Sequence, residues 1–235
     1  MTARTATQAL AAATAALTSG RDITDVLDRL VRDSADVLGA QAVGLLVLAP
    51  GGDLELLAAT SHQVAELELY QIQQDTGPCI EAVRGGSPVA SASQDDMRAR
   101  WPGISEAITS AGYHSAHAYP LRWHGQTLGA LNTFHASAQP DAADIAQTGQ
   151  ALADIATVLI VQTADLSADQ VTERVQQVLQ ARTSIEQAKG VLAYTRDVDM
   201  AAAYDLLRRL AADDDTTITD TAASIIARAQ SRNQS

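Results

Sequence analysis

The chain has 235 residues, 46% apolar and 19% charged, with one cysteine and a net charge of −12. This composition suits a folded protein of one large or two smaller domains. It excludes an internal disulfide, offers no apolar run of the roughly 20 residues that cross a membrane, and argues against a general nucleic-acid binder, since phosphates repel an acidic surface.

The Ala-rich opening stretch, MTARTATQALAAATAAL, lacks the compact basic start and strongly apolar middle of an export signal, so a helix is expected over 4–19. With a single cysteine, this places the chain in a reducing cytoplasm. Helical spacing continues over 22–38 through Ile23, Val26, Leu27, Leu30, Val31 and Val37. Apolar runs at 42–49 and 54–60, joined by the turn at 50–53, predict a β-hairpin. A helix is expected over 63–73, then a short one opening at Gly77–Pro78–Cys79 and ending at Gly85–Gly86. A strand over 87–93 and a helix over 95–111 around Trp101 follow. Residues 114–123 and 127–136 predict a second hairpin, and 141–165 a long helix. This order predicts an α+β fold with an antiparallel sheet between helical layers. From residue 167 every element reads as helical: 167–196, 199–212 and 218–230. Asp197 or Asp199 is expected to cap the second, and Thr217 or Thr219 the third.

Charge divides the chain. Residues 1–166 hold 8 Arg and 18 Asp/Glu, a net −10; residues 167–235 hold 8 Arg/Lys and 10 Asp/Glu, a net −2.

In the first part, Cys79 sits at a helix start, where the helix dipole lowers a thiol pKa, and is a candidate redox sensor. The plainer alternative is a small buried hydrophobe. His114, His117, His124 and His135 lie on or beside the second hairpin. Three apart on a strand, His114 and His117 point to opposite faces and do not chelate, so no metal or other cofactor is expected. Trp101 and Trp123 are two of eight aromatics and either floor a pocket or pack in the core. Cys79, Trp101, His117 and His135 are the candidate ligand-sensing residues.

In the second part, Val171, Val178, Ile185 and Leu192 repeat every seven residues beside Arg174, Ala181, Ala188 and Thr195, a seam for close helix packing. Next to it Arg182, Lys189 and Arg196 repeat at the same period over about 21 Å. That row suits a phosphate track, or else a solvated face in which Glu186 pairs with Arg182 or Lys189. Lys189 is the chain's one lysine. Gly190 after it costs a helix roughly 1 kcal/mol against Ala, which suggests close approach by a partner helix or a nucleic-acid backbone.

These residues resemble two known families. Gln74–Asp75–Thr76–Gly77–Pro78–Cys79, Arg100–Trp101–Pro102 and Pro120–Leu121, within about 20–165, resemble the GAF domain of actinobacterial two-domain regulators. The resemblance implies a small-molecule sensor or dimerisation module and leaves the ligand unspecified. ARTSIEQAKGVLAY, AAAYDLLRRLA and ITDTAASIIA, within about 170–230, resemble an ANTAR domain. This is a three-helix module that binds paired stem-loops in nascent RNA and prevents transcription termination. Arg182, Ile185, Glu186, Gln187, Ala188, Lys189 and Gly190 match its signature helix. Ala203, Tyr204, Leu207 and Arg208 match its second helix, and Ala222, Ile225 and Ile226 its third.

Together the resemblances imply a GAF sensor over 1–166 and an all-α ANTAR domain over 167–235, in a homodimer that binds mRNA stem-loops and not DNA. The implied RNA-binding residues are Arg182, Gln187, Lys189, Gly190, Arg196, Arg208, Thr216 and Thr217. No covalent chemistry is implied. One stretch departs from the family: Asp213–Asp214–Asp215 stands where basic residues are usual and would repel phosphate. The alternative is therefore a ligand- or redox-sensing regulator that acts by dimerisation and protein–protein contact, its RNA binding lost.

Overall fold

The computed structural model describes residues 6–18, 22–138, 143–161 and 168–232. The ends of the expected helices 4–19, 141–165 and 167–196 run beyond that set, and so do the side chains of Val171 and Arg174.

Five antiparallel strands carry the first part: β1 (Ala42–Leu48), β2 (Leu54–Ala59), β3 (Val89–Ser91), β4 (Ser115–Trp123) and β5 (Gln126–His135), in the order β2-β1-β5-β4-β3. Helices cover both faces, so β1 is buried on both sides and reads as a continuous apolar run rather than an alternation. On one face Val43, Leu45, Val47, Tyr119 and Leu131 pack against α2 (Ile23–Leu38) and α7 (Ala143–Val161), with α1 (Ala6–Thr18) beside them. On the other face Ala42, Ala116, Ala118 and Phe134 meet α3 (His62–Gln74) and the helices α4 (Pro78–Gly85), α5 (Gln94–Arg100) and α6 (Pro102–Ser110).

The helix expected over 95–111 is two helices. Pro102 bars the preceding residue from helical geometry, so Trp101 sits at φ −132°, ψ 67° and the chain turns there. Pro102 then opens α6 at a position where its missing N–H is not needed. The indole of Trp101 points inward, and its Nε1 donates to Glu81 at 3.0 Å. Arg100 lies 4.4 Å over the same ring and donates to Glu81 at 2.7 Å. Arg100–Trp101–Pro102 thus fastens α4 to the α5–α6 corner.

Three helices complete the chain: α8 (Ala168–Arg196), α9 (Met200–Asp213) and α10 (Ile218–Arg232). The buried side of α8 serves two cores. Val175, Val178 and Leu179 join the core of α2 and α7, while Ile185, Ala188 and Leu192 join Ala203, Leu207, Ala211, Ile218 and Ala222. Asp199 caps α9 by accepting from Ala202 N at 2.8 Å, and Thr217 caps α10 by accepting from Asp220 N at 3.0 Å.

Candidate nucleic-acid interface

Beyond its core side, α8 presents two further faces. One carries the cation row, and internal partners hold most of it. Arg182 donates to the carbonyl of Leu57 in β2 and lies 3.9 Å from Glu186. Burial pushes its guanidinium pKa below the ordinary value, against the pull of Glu186 and Asp28. The Lys189 ammonium bonds both Glu186 oxygens, at 3.0 and 2.9 Å, and stands 5.5 Å from the centre of the Tyr204 ring. A compact ammonium fits this slot between a carboxylate and a ring face, where a planar guanidinium would need more room. Arg196 is exposed at the end of the helix, apart from the other two.

The other face is uncharged and open. Gln180, Thr183, Gln187, Gly190 and Tyr194 are all exposed, three or four residues apart, and therefore share one stripe. Tyr194 is 90% exposed. A Cβ placed on Gly190 would meet nothing within 4 Å among the described residues, whose packing gives no reason for glycine there.

Arg208, Thr216 and Thr217 gather elsewhere. They line a cleft of about 600 Å³ between α2 and the α9–α10 turn, shared with Asp22, Asp25, Asp215 and Asp220. Arg208 Nε lies 3.4 Å from Asp25, and the Thr216 hydroxyl bonds that of Thr221 at 2.7 Å. The Thr217 hydroxyl donates to Asp220 at 2.8 Å. Asp213, Asp214 and Asp215 are exposed on the turn.

The four candidate sensing residues do not converge. Cys79 and Trp101 lie on the α3–α6 side of the sheet, in separate clusters. His117 and His135 alternate with Ala116, Ala118 and Phe134 and so face α2 and α7, their rings 5.3 Å apart. Burial pushes the His135 pKa down to about 4, helped by His117 and opposed by the Gly39 backbone. Cys79 is fully buried. Burial, then the nearby Glu68 carboxyl, pushes its thiol well above the usual range, the reverse of a reactive cysteine.

On the Cys79 side lies a network that sequence reasoning missed. Glu68 of α3 is fully buried, accepting from Asn132 at 2.8 and 2.9 Å and from Gln71 at 2.7 Å. Burial raises its pKa to about 8 against these hydrogen bonds. A Cβ on Gly44 would land on the Glu68 carboxyl, so β1 needs glycine at that point.

Two family models match the chain: a GAF domain over residues 20–161 and an ANTAR domain over residues 173–226. The chain belongs to the GAF family and carries an ANTAR domain. No curated protein matches it. The GAF domain is similar to that of a phosphoenolpyruvate-protein phosphotransferase from Acinetobacter, at 14% identity and TM-score 0.51 over 66% of this chain and 92% of that one. It is also similar to the GAF domain of a phosphoenolpyruvate-protein phosphotransferase from Coxiella burnetii, at 17% identity and TM-score 0.51 over 67% and 93%. A GAF region of a putative membrane protein from Geobacter sulfurreducens compares at 14% identity and TM-score 0.51 over 60% and 95%. These likenesses establish the fold. No described helix is long and apolar enough to cross a membrane.

With both domains identified, α8 is the element they share: its first half completes the GAF core and its second half builds the ANTAR core. Sequence reasoning also missed the GAF residues that meet the ANTAR domain: Asp22, Asp25 and Asp28 of the α2 region. Their three-residue spacing marked them as one helical face, yet nothing local named the partner.

Proposed function

We propose that this chain is a signal-responsive, RNA-binding antitermination regulator acting as a homodimer. The GAF domain receives a small-molecule signal, and the ANTAR domain binds paired stem-loops in nascent mRNA. GAF and ANTAR domains are regulatory modules, and the reading contains no covalent step.

The observation that carries it is Gly190. It sits mid-helix, where glycine costs roughly 1 kcal/mol against alanine, and among the described residues no group outside its own stretch of helix comes within 4 Å of where its Cβ would stand. It lies between Gln187 and Tyr194 on an exposed stripe without charge. A backbone that approaches closely, with an amide to hydrogen-bond and an aromatic face to stack, gives that glycine a use. Arg196, and Arg208 once freed from Asp25, would supply the contacts to phosphate.

Gly190 also provides the test. Gly190→Ala should stabilise the ANTAR domain by about 0.5–1 kcal/mol. Gly190→Leu should leave the domain folded and reduce binding to leader-transcript hairpins at least ten-fold. Unchanged affinity in Gly190→Leu would refute a role for this stripe in RNA binding. Arg182→Ala is a poorer probe, because Arg182 ties α8 to β2.

A second reading, in which RNA binding is lost and the chain signals through protein contacts, is favoured by the exposed Asp213–Asp215 turn. It predicts purified protein free of nuclease-sensitive absorbance and indifferent to hairpin RNA at low salt.

A further inference from the structure

Resting on the RNA-binding reading, we infer that the α2 region of the GAF domain is an autoinhibitory latch, whose row of aspartates holds the ANTAR domain and occupies Arg208, a side chain that RNA would otherwise engage. Asp22, Asp25 and Asp28 stand three residues apart along one face. Each meets a different ANTAR group. Asp22 accepts from the backbone N–H of Thr219 in α10 at 2.9 Å. Asp25 pairs with Arg208 of α9 at 3.4 Å, and Asp28 accepts from the Tyr204 hydroxyl at 3.2 Å. One strand away, the carbonyl of Leu57 takes the Arg182 guanidinium. Asp28 is also paired with Arg32 of its own helix and Asp22 also caps α2, so Asp25 is the carboxylate that offers Arg208 the charge a phosphate would. Arg208 cannot serve an aspartate and a phosphate at once, so GAF docking competes with the full set of RNA contacts.

The latch is built to release. Its contacts to α9 and α10 are hydrogen bonds and one ion pair, partly open to solvent, whereas the apolar packing of α8 on the GAF core ends at Leu179. The ANTAR core begins at Ile185. Between them, the hydroxyls of Thr183 and Ser184 donate to the carbonyls of Leu179 and Gln180, at 3.0 and 3.2 Å. Such back-bonds compete with the helix ladder and favour bending. The joint between the two cores is thus the soft point of α8, about which the ANTAR domain swings clear of α2.

The test uses the full chain with a fluorophore pair on Asp36→Cys and Asp205→Cys, both exposed positions; Cys79 is buried and stays unlabelled. Asp25→Asn with Asp28→Asn removes the latch and spares Asp22, which caps α2. The dye distance should widen. Affinity for a paired-hairpin probe from the leader transcripts should rise by up to about ten-fold if nine molecules in ten are latched. The variant should also lose affinity with salt more steeply than wild type, because in wild type salt weakens the latch as well as the RNA contacts. A second variant, Ser184→Ala, leaves the carboxylates and the exposed stripe in place and should weaken binding by stiffening the joint. An unchanged dye distance in the aspartate variant would overturn the latch. A widened distance with wild-type RNA affinity would overturn the competition. A widened distance with no RNA bound by any form would refute the RNA reading itself, and the competition with it.

Discussion

At the scale of single residues, the basic side chains of the ANTAR domain divide by what already holds them. Arg182 is mostly buried and bonded to a backbone carbonyl of another domain. Its removal strands that carbonyl and breaks the tie between α8 and β2. Arg182→Ala should therefore destabilise the protein by about 1–3 kcal/mol, the range for stranding a buried partner, as read from urea unfolding. Lys189 answers to Glu186 and to the Tyr204 ring, which accounts for a lysine in an otherwise arginine-only chain. Exposed Arg196 should show the opposite profile: Arg196→Ala changes stability by less than about 0.5 kcal/mol and lowers the salt dependence of RNA binding by roughly one phosphate contact. Trp101 is a fastener. Trp101→Phe keeps a ring in the core, loses the bond to Glu81, and should cost about 1 kcal/mol.

At the scale of elements, the buried Glu68 on α3 and His135 on β5 contribute opposing trends to the pH dependence of the GAF domain. Glu68 keeps its proton up to about pH 8 in the fold, against an ordinary value of 4.5. Its contribution to stability is complete below 4.5 and is lost as pH climbs towards 8. His135 runs the other way. Its folded value of about 4 lies below the ordinary 6.5, so stability falls as pH drops from 6.5 towards 4. The two trends offset each other between 4.5 and 6.5, and above 6.5 the Glu68 loss is unopposed. Glu68→Gln should flatten the decline between pH 6.5 and 8 in urea midpoints. A decline of undiminished slope would assign it to another group. Such elements also show where sequence reading works. The two hairpins and the α8 seam were legible because sheet and helix periodicities are local. The break at Trp101–Pro102 was legible in principle, since proline restricts its predecessor, but the apolar spacing over 95–111 hid it. The Glu68–Asn132 bond joins residues 64 apart and left no local trace.

At the scale of the whole molecule, the GAF and ANTAR domains are joined through one helix and held together by a second, polar set of contacts. The acidic bias of residues 1–166 appeared in the sequence only as an obstacle to RNA binding. In the structure, part of that acidity faces Arg208 and Tyr204. Those contacts span 176 residues for Tyr204–Asp28 and 197 for Thr219–Asp22, beyond the reach of any local pattern. Of the candidate site, the exposed glycine and the cation row were visible as residues. What already holds Arg182, Lys189 and Arg208 was not, because it depends on how α2 and β2 meet α8, α9 and α10.

The proposed function turns on whether the ANTAR domain of this chain binds structured RNA. The most direct measurement is the affinity of the latch-free Asp25→Asn/Asp28→Asn protein for paired-hairpin leader RNA across a salt series, with Gly190→Leu in the same background. The expected result is a log affinity that falls linearly with log salt, and at least a ten-fold loss on introducing Gly190→Leu. Absence of salt-sensitive binding in the folded, latch-free protein at low ionic strength would contradict it and assign the chain to the protein-contact reading.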